Sequence, residues 1–170
     1  MKRALAVMSL LAVVLPASAF AKDMKGMWGP GYFRPEAPIG VRIWFSEKLA
    51  GDLAFGISSS DATGDNLTDW VVDLGLPIVV ANAENTMFFV RPAFAYQSVA
   101  VNSSDEITAF SISAQLGVEH FFAERFSVQV AHGITWQSID PPTGDSITEF
   151  FTEDFGISSI GFHYYFGGTQ

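Results

Sequence analysis

Seven ionisable side chains, Arg42, Asp52, Asp69, Asp73, Arg91, Glu119 and His163, share one placement: each lies in an alternating stretch, on the face opposite the large apolar residues. Charges gathered on the inner face of a closed structure must pair or stay hydrated, because an isolated buried ion is costly. Ion pairing is therefore the expected chemistry, with Arg42 and Arg91 cross-linking carboxylates such as Asp52, Asp73 and Glu119 into a plug. An ion path lined by the same residues is the alternative reading.

The three histidines do not support a catalytic reading. A hydrolytic site needs a nucleophile within reach of a histidine that a further group orients. His120 falls at a short turn, His163 near the C-terminus and only His132 mid-strand, and none stands beside a recognisable nucleophile. No catalytic residue is expected. With no cysteine there is no disulfide frame, thiolate ligand or cysteine nucleophile. A phosphate-binding loop, dinucleotide fingerprint and zinc spacing are likewise missing from the sequence, so no cofactor is expected. The acidic clusters Asp61, Asp65, Asp105, Glu106, Asp140, Asp145, Glu149, Glu153 and Asp154 could be bridged by divalent cations. They lack EF-hand spacing, and solvated charge rather than a metal site is the expectation.

The elements that position these residues are strands. In residues 39–45, Ile39, Val41, Ile43 and Phe45 share one face while Gly40 and Arg42 take the other. The same period of two runs through 49–58, 69–78, 88–97, 110–119, 126–137 and, in the last segment, roughly 155–166. Residues 147–152 could extend the strands beside them. An even strand count then requires a first strand within 25–33, although Pro30 interrupts it. Turns are expected at 46–48, 81–85 and 123–124, with longer loops at 58–66, 102–106 and around Thr143. Two positions break the pattern. Pro92 removes a ladder donor, so a bulge or break is expected there, and His132 has the parity of Val130 and Ile134, so a register shift or an interfacial position is expected.

The second face is not that of a soluble sandwich. It carries Gly, Ala, Ser, Thr, Gln and a few charges, while the apolar face is large and aromatic, so the pattern reads as inside-out. Aromatic residues gather at the strand ends: Trp44, Phe45, Phe121, Phe122, Phe126, Tyr164, Tyr165 and Phe166 near the short turns, and Trp70, Tyr96, Phe110 and Trp136 near the longer loops. Such rings favour the headgroup level of a bilayer, and two girdles are expected.

Residues 1–21 have the layout of a cleaved secretory leader: Lys2 and Arg3, an apolar run of about 12 residues from Ala4, and Ala19-Phe20-Ala21 before the scissile bond. The remainder, 22–170, is long enough for one domain. Formal charge is −9; losing Lys2 and Arg3 takes the basic residues from 9 to 7 against 18 acids, giving −11, which disfavours nucleic acid.

The C-terminal run Ser159-Ile160-Gly161-Phe162-His163-Tyr164-Tyr165-Phe166 resembles the terminal-strand signal of outer-membrane barrels, carried by Ser159, Gly161, Tyr164 and Phe166, although Gly167-Gly168-Thr169-Gln170 follow. Residues 41–49 and 116–126 resemble hairpin turns of small eight-stranded, OmpA-like outer-membrane β-barrel proteins. This resemblance implies an all-β, up-and-down transmembrane barrel in the outer membrane of a Gram-negative envelope. It also implies partners among outer-membrane lipids and lipopolysaccharide, recognition by the barrel-assembly machinery, and a monomer. The expected role is structural or mediated by external loops, around a mostly plugged lumen and without enzymatic activity. The alternatives are a lipid-A-modifying or lipid-binding barrel enzyme and a soluble secreted barrel carrying a small apolar ligand.

Overall fold

In the computed structural model the described residues are 22–62, 65–102, 104–152 and 159–168; the leader at 1–21 lies outside them, as do 155–158 of the expected last strand. Every regular element among them is a strand. These are β1 (Met27–Tyr32), β2 (Ile39–Trp44), β3 (Ala50–Ala62), β4 (Asp65–Gly75), β5 (Ile78–Ala83), β6 (Thr86–Ala100), β7 (Glu106–Phe121), β8 (Phe126–Asp140), β9 (Ile147–Thr152), β10 (Ser159–Tyr164) and β11 (Phe166–Gly167). Both β4 and β5 pair with β6 and together form one wall strand; β9, β10 and β11 form another. β10 pairs with β8 on one side and β1 on the other, closing an antiparallel barrel of eight strands. Closure leaves no free edge along the ladder near the termini. Among the described residues, 56–62 of β3 pair only with β4, and β9 pairs only with β8.

Side-chain parity follows the sequence alternation. On β8, Ser127, Gln129, Ala131 and Thr135 are buried in the interior while Phe126, Val130 and Ile134 are exposed outside. Connections at 45–49, 84–85 and 122–125 lie at one end, the turn end, and those at 33–38, 63–64, 101–105 and 141–146 at the other, the loop end. At the turn end the Phe45 N–H donates to the Leu49 carbonyl at 2.9 Å and that of Phe122 to Phe126 at 3.1 Å. At the loop end Asn102 Oδ1 accepts from the amides of Ser104 and Asp105, an Asx-type turn.

Two boundaries differ from expectation. Residues 58–62 are strand rather than loop, pairing as far as Ala62 with Asp65, so the β3–β4 connection is only 63–64. β5 runs to Ala83, leaving Glu84, at φ 44°, and Asn85 as a two-residue turn. In both places polar or small residues complete a ladder, because backbone pairing needs no large apolar side chain. The break expected at Pro92 also falls elsewhere. β6 pairs with β7 continuously from Arg91 to Ala93, and the wall strand opposite is the one interrupted, at Leu76 and Pro77. The Leu76 N–H donates to the Pro92 carbonyl at 2.9 Å, so the missing donor of Pro92 points toward that gap. Pro30 is accommodated similarly: β1 pairs with β2 through it, while the ladder to the last wall strand skips from Gly31 to Trp28.

The segment 33–38 does not project outward. Phe33 and Ala37 are buried against Ala54 and Val71, and the Glu36 carbonyl passes over Gly56 so closely that a Cβ there would lie 1.8 Å from the oxygen. A Gly56→Val substitution should therefore expel this segment while leaving the ladder intact. Limited digestion with a glutamate-specific protease should then cut after Glu36 at least tenfold faster than in the parent; unchanged cutting would mean that the segment is not held by this approach.

Candidate functional site

The barrel interior is the candidate site. Its base, at the turn end, is apolar: Met24, Met27, Trp44, Ala50, Val79, Met87, Phe121 and Tyr165 form one buried cluster. The chain enters this cluster from below. Met24 is fully buried, the Gly26 N–H donates to the Trp44 carbonyl at 3.0 Å, and the Lys22 ammonium lies 4.3 Å from the Phe121 ring centre while donating to the Glu124 carbonyl. Burial lowers the Lys22 pKa, opposed by the negative charges of Glu124 and Glu119. Trp44, Phe121 and Tyr165, placed in the outer aromatic belts by residue type, thus face inward. Their positions have interior parity, and the base needs bulk to fill it.

Above this base sits the charged layer. Arg42, on β2, donates from Nε and Nη2 to the two oxygens of Asp52 at 2.7 and 2.9 Å, and from Nη1 to Glu119 Oε2 at 2.6 Å. Arg91 donates from Nε to Asp52 Oδ2 at 2.8 Å, from Nη1 to Gln115 Oε1 at 3.1 Å, and from Nη2 to Asp73. Glu119 also accepts from the hydroxyls of Ser127 and Tyr165. The Arg42 side chain and its partners on Asp52 and Glu119 are fully excluded from solvent. Two guanidiniums and three carboxylates are thus joined, and the inner-facing glycines make room: a Cβ on Gly75 would lie 2.3 Å from the Arg91 guanidinium.

The structure brings together six of the seven expected lumen residues. His163 is buried beside Glu119, but its Nδ1 is 3.7 Å from Oε1, beyond hydrogen-bonding distance, and neither ring nitrogen has a hydrogen-bond partner. Packing holds it, with Phe33 edge-on at 4.7 Å and Tyr165 at 5.7 Å. Asp69 stands apart, accepting the Ala100 N–H at 2.9 Å. Two charged residues of the interior were not anticipated. Arg34 and Glu36 lie on the inward segment 33–38, and Arg34 reaches Asp73 Oδ2 at 3.3 Å. A cation and an anion in a short run between Phe33 and Pro38, broken by Pro35, is the only signal the sequence offers for them.

Toward the loop end the interior opens into a vestibule of about 200 Å³ above the charged layer. Neutral polar side chains of β6, β7 and β8 make one wall, and Arg34, Glu36 and Asp73 stand against them. Of the other expected positions, Phe45, Phe122 and Phe126 are exposed outside near the turns and Trp70 near the loop end. Trp70 meets Tyr96 at a tilt with ring centres 5.3 Å apart, and Phe110 meets Trp136 edge-on at 5.3 Å. In the C-terminal run Gly161 faces inward against Gln129, while Tyr164 and Phe166 are outside. His120 accepts or donates a 2.8 Å hydrogen bond with Thr86, and His132 pairs with Leu116 in unshifted register, so the expected bulge is not found on that side. No cluster able to hold a metal occurs among the described residues.

Fold and site define a class, an eight-stranded antiparallel barrel with a charged interior, filled by side chains at its turn end and middle, and an apolar exterior. No protein-family model matches the chain, nor does any curated protein or solved structure.

Because Asp52 is bonded to both guanidiniums, Asp52→Ala leaves two buried cations short of a partner. Loss of one member of a buried pair costs about 3–5 kcal/mol, and urea unfolding of the purified protein should show a loss of that order, whereas Asp69→Asn should shift stability by less than about 1 kcal/mol. Equal effects would refute the distinction between the network and Asp69.

Proposed function

We propose that this chain is a non-enzymatic outer-membrane protein of the OmpA-like type, exported by the leader 1–21. It spans the bilayer as a monomeric barrel, is sealed against through-flow, and acts as a structural element or through its external loops. The observation that carries the reading is the inversion of polarity. Arg42, Glu119 and His163 are 0% exposed, while Ile39, Leu116 and Ile57 on the outer face are 75%, 69% and 67% exposed. A water-soluble barrel arranged this way would present a continuous apolar belt to solvent.

The dimensions agree. From Phe126 to Trp136 the outward stripe of β8 advances ten residues. That is about 33 Å along the strand, or about 25 Å across a membrane at a tilt of ~40°, the height of the apolar band in such barrels. Outward rings lie at both ends of that stripe. Closure of the base by Met24, Trp44, Phe121 and Tyr165, backed by the ion-paired layer, is what supports a non-conducting lumen.

Fractionation followed by electrophoresis with and without boiling tests the assignment. The protein should remain with washed outer membranes and migrate differently before and after boiling, and reconstituted protein should show no sustained conductance in planar bilayers. A species soluble without detergent and lacking the shift would favour the soluble-carrier alternative. A change in the mass of lipid A dependent on the gene would favour the enzyme alternative.

A further inference from the structure

The charged layer blocks passage but leaves the vestibule above it open, with Glu36 and Phe151 of its lining exposed. A chamber closed below and open above can hold a solute without passing it on. Its wall is unlike the rest of the interior. Gln97 from β6, Ser111 and Ser113 from β7, and Thr135 and Gln137 from β8 line it above Gln115, whose Oε1 is already held by Arg91; Ser111 is directly opposite Gln137 and Ser113 opposite Thr135. Ala95 and Ala109, on the same wall, leave the space unfilled. Arg34, also on the lining, has a buried Nε–H with no hydrogen-bond partner, the Glu36 carboxylate standing 3.8 Å away.

We propose that the vestibule binds a small, neutral, polyhydroxylated solute of monosaccharide size. The charges present are already matched: Arg34 lies by Asp73 and Glu36, and Asp73 also receives Arg91. A free cation or anion would therefore have to break an existing pair, so net charge is not what the chamber selects. An apolar ligand would bury the wall's carboxamides and hydroxyls without partners, at a cost for each. Carboxamides offer a donor and an acceptor on one group, and hydroxyls can act as either. Adjacent hydroxyls on a sugar or cyclitol ring have the same dual character, so a row of Gln, Ser and Thr can satisfy them in series. One ring oxygen or hydroxyl would accept from Arg34 Nε, and Phe151, opposite Thr135 on the lining, supplies an apolar surface for a ring face.

This inference rests on the interior alone and holds whether or not the exterior faces lipid. The test is ligand-observed saturation-transfer NMR on the folded full chain, with glucose, galactose and myo-inositol as probes and acetate, choline and cyclohexanol as comparators of other chemistry. At least one polyol should give a saturable signal with a dissociation constant in the millimolar range, about 1–10 mM. The double variant Gln97→Leu/Gln137→Leu should weaken it at least tenfold while unfolding at the same urea concentration as the parent. If that variant does not fold, Ser111→Val alone should weaken binding severalfold. The proposal is overturned if none of the three polyols saturates by about 100 mM, if the folded variants bind as the parent does, or if acetate, choline or cyclohexanol binds more tightly than any polyol.

Discussion

The double bridge Arg42–Asp52–Arg91 is the interaction on which the interior depends. In an eight-stranded barrel the lumen is just wide enough to be filled by side chains, so whatever lies there is confined and largely dry. A guanidinium in that setting demands several acceptors, and a carboxylate several donors. Asp52 meets both demands by giving one oxygen to each arginine in addition to the second contact with Arg42. Glu119 on the far wall and Asp73 nearer the loops then complete the coordination. Because Arg42, Asp52, Asp73, Arg91 and Glu119 come from five different strands, the ion pairs also fix the strands relative to one another across the lumen, which ladder hydrogen bonds between neighbours cannot do. Such a network adds little net stability compared with apolar residues of the same volume. Its contribution is selectivity, since a register slip of one residue would turn these charges toward the apolar exterior.

Much of this was legible in the sequence, and the reason is parity. A period of two assigns a side to every residue, so Ile43 and Leu53 could be placed outside and Arg42 and Asp52 inside with no knowledge of the fold. At three aromatic positions residue type and parity point to opposite sides, and parity prevails. Trp44, Phe121 and Tyr165 alternate with exposed neighbours and belong inside, yet their rings suggested an outer belt. Strand ends depart from the pattern for another reason. Beyond the apolar stripe both faces of a hairpin meet water, alternation disappears, and Ser58, Ser59 and Ser60 pair with β4 without leaving a hydrophobic trace. Pro92 leaves its own strand intact because each residue of a strand directs its N–H to one neighbour only; the interruption falls on Leu76 and Pro77 across the ladder.

Arg34 and Glu36 could not be placed by periodicity at all, since they belong to a connection rather than a strand. What draws that connection inward is Phe33, whose ring packs against Gly40 and His163, together with the open space above Gly56. Small residues on the inner face thus do two separate jobs. Gly40 and Gly56 admit the 33–38 segment, and Gly75 admits the Arg91 head, so that bulk contributed by one strand is received by a glycine on another.

The division of the interior into a sealed base and an open vestibule follows from where those bulky groups run out. Aromatic and thioether side chains fill the turn end, ion pairs fill the middle, and above them Ala95, Ala109, Ser111 and Ser113 leave a polar-lined volume unfilled. Had stability been the only constraint, the same positions could have continued with larger apolar residues, as they do around Met87 and Phe89. Polar groups of intermediate size instead surround a volume that the chain itself does not occupy. The lumen thus changes along its length from apolar fill to ion pairs to neutral polar groups, and the unfilled volume lies where the inward side chains stop meeting one another.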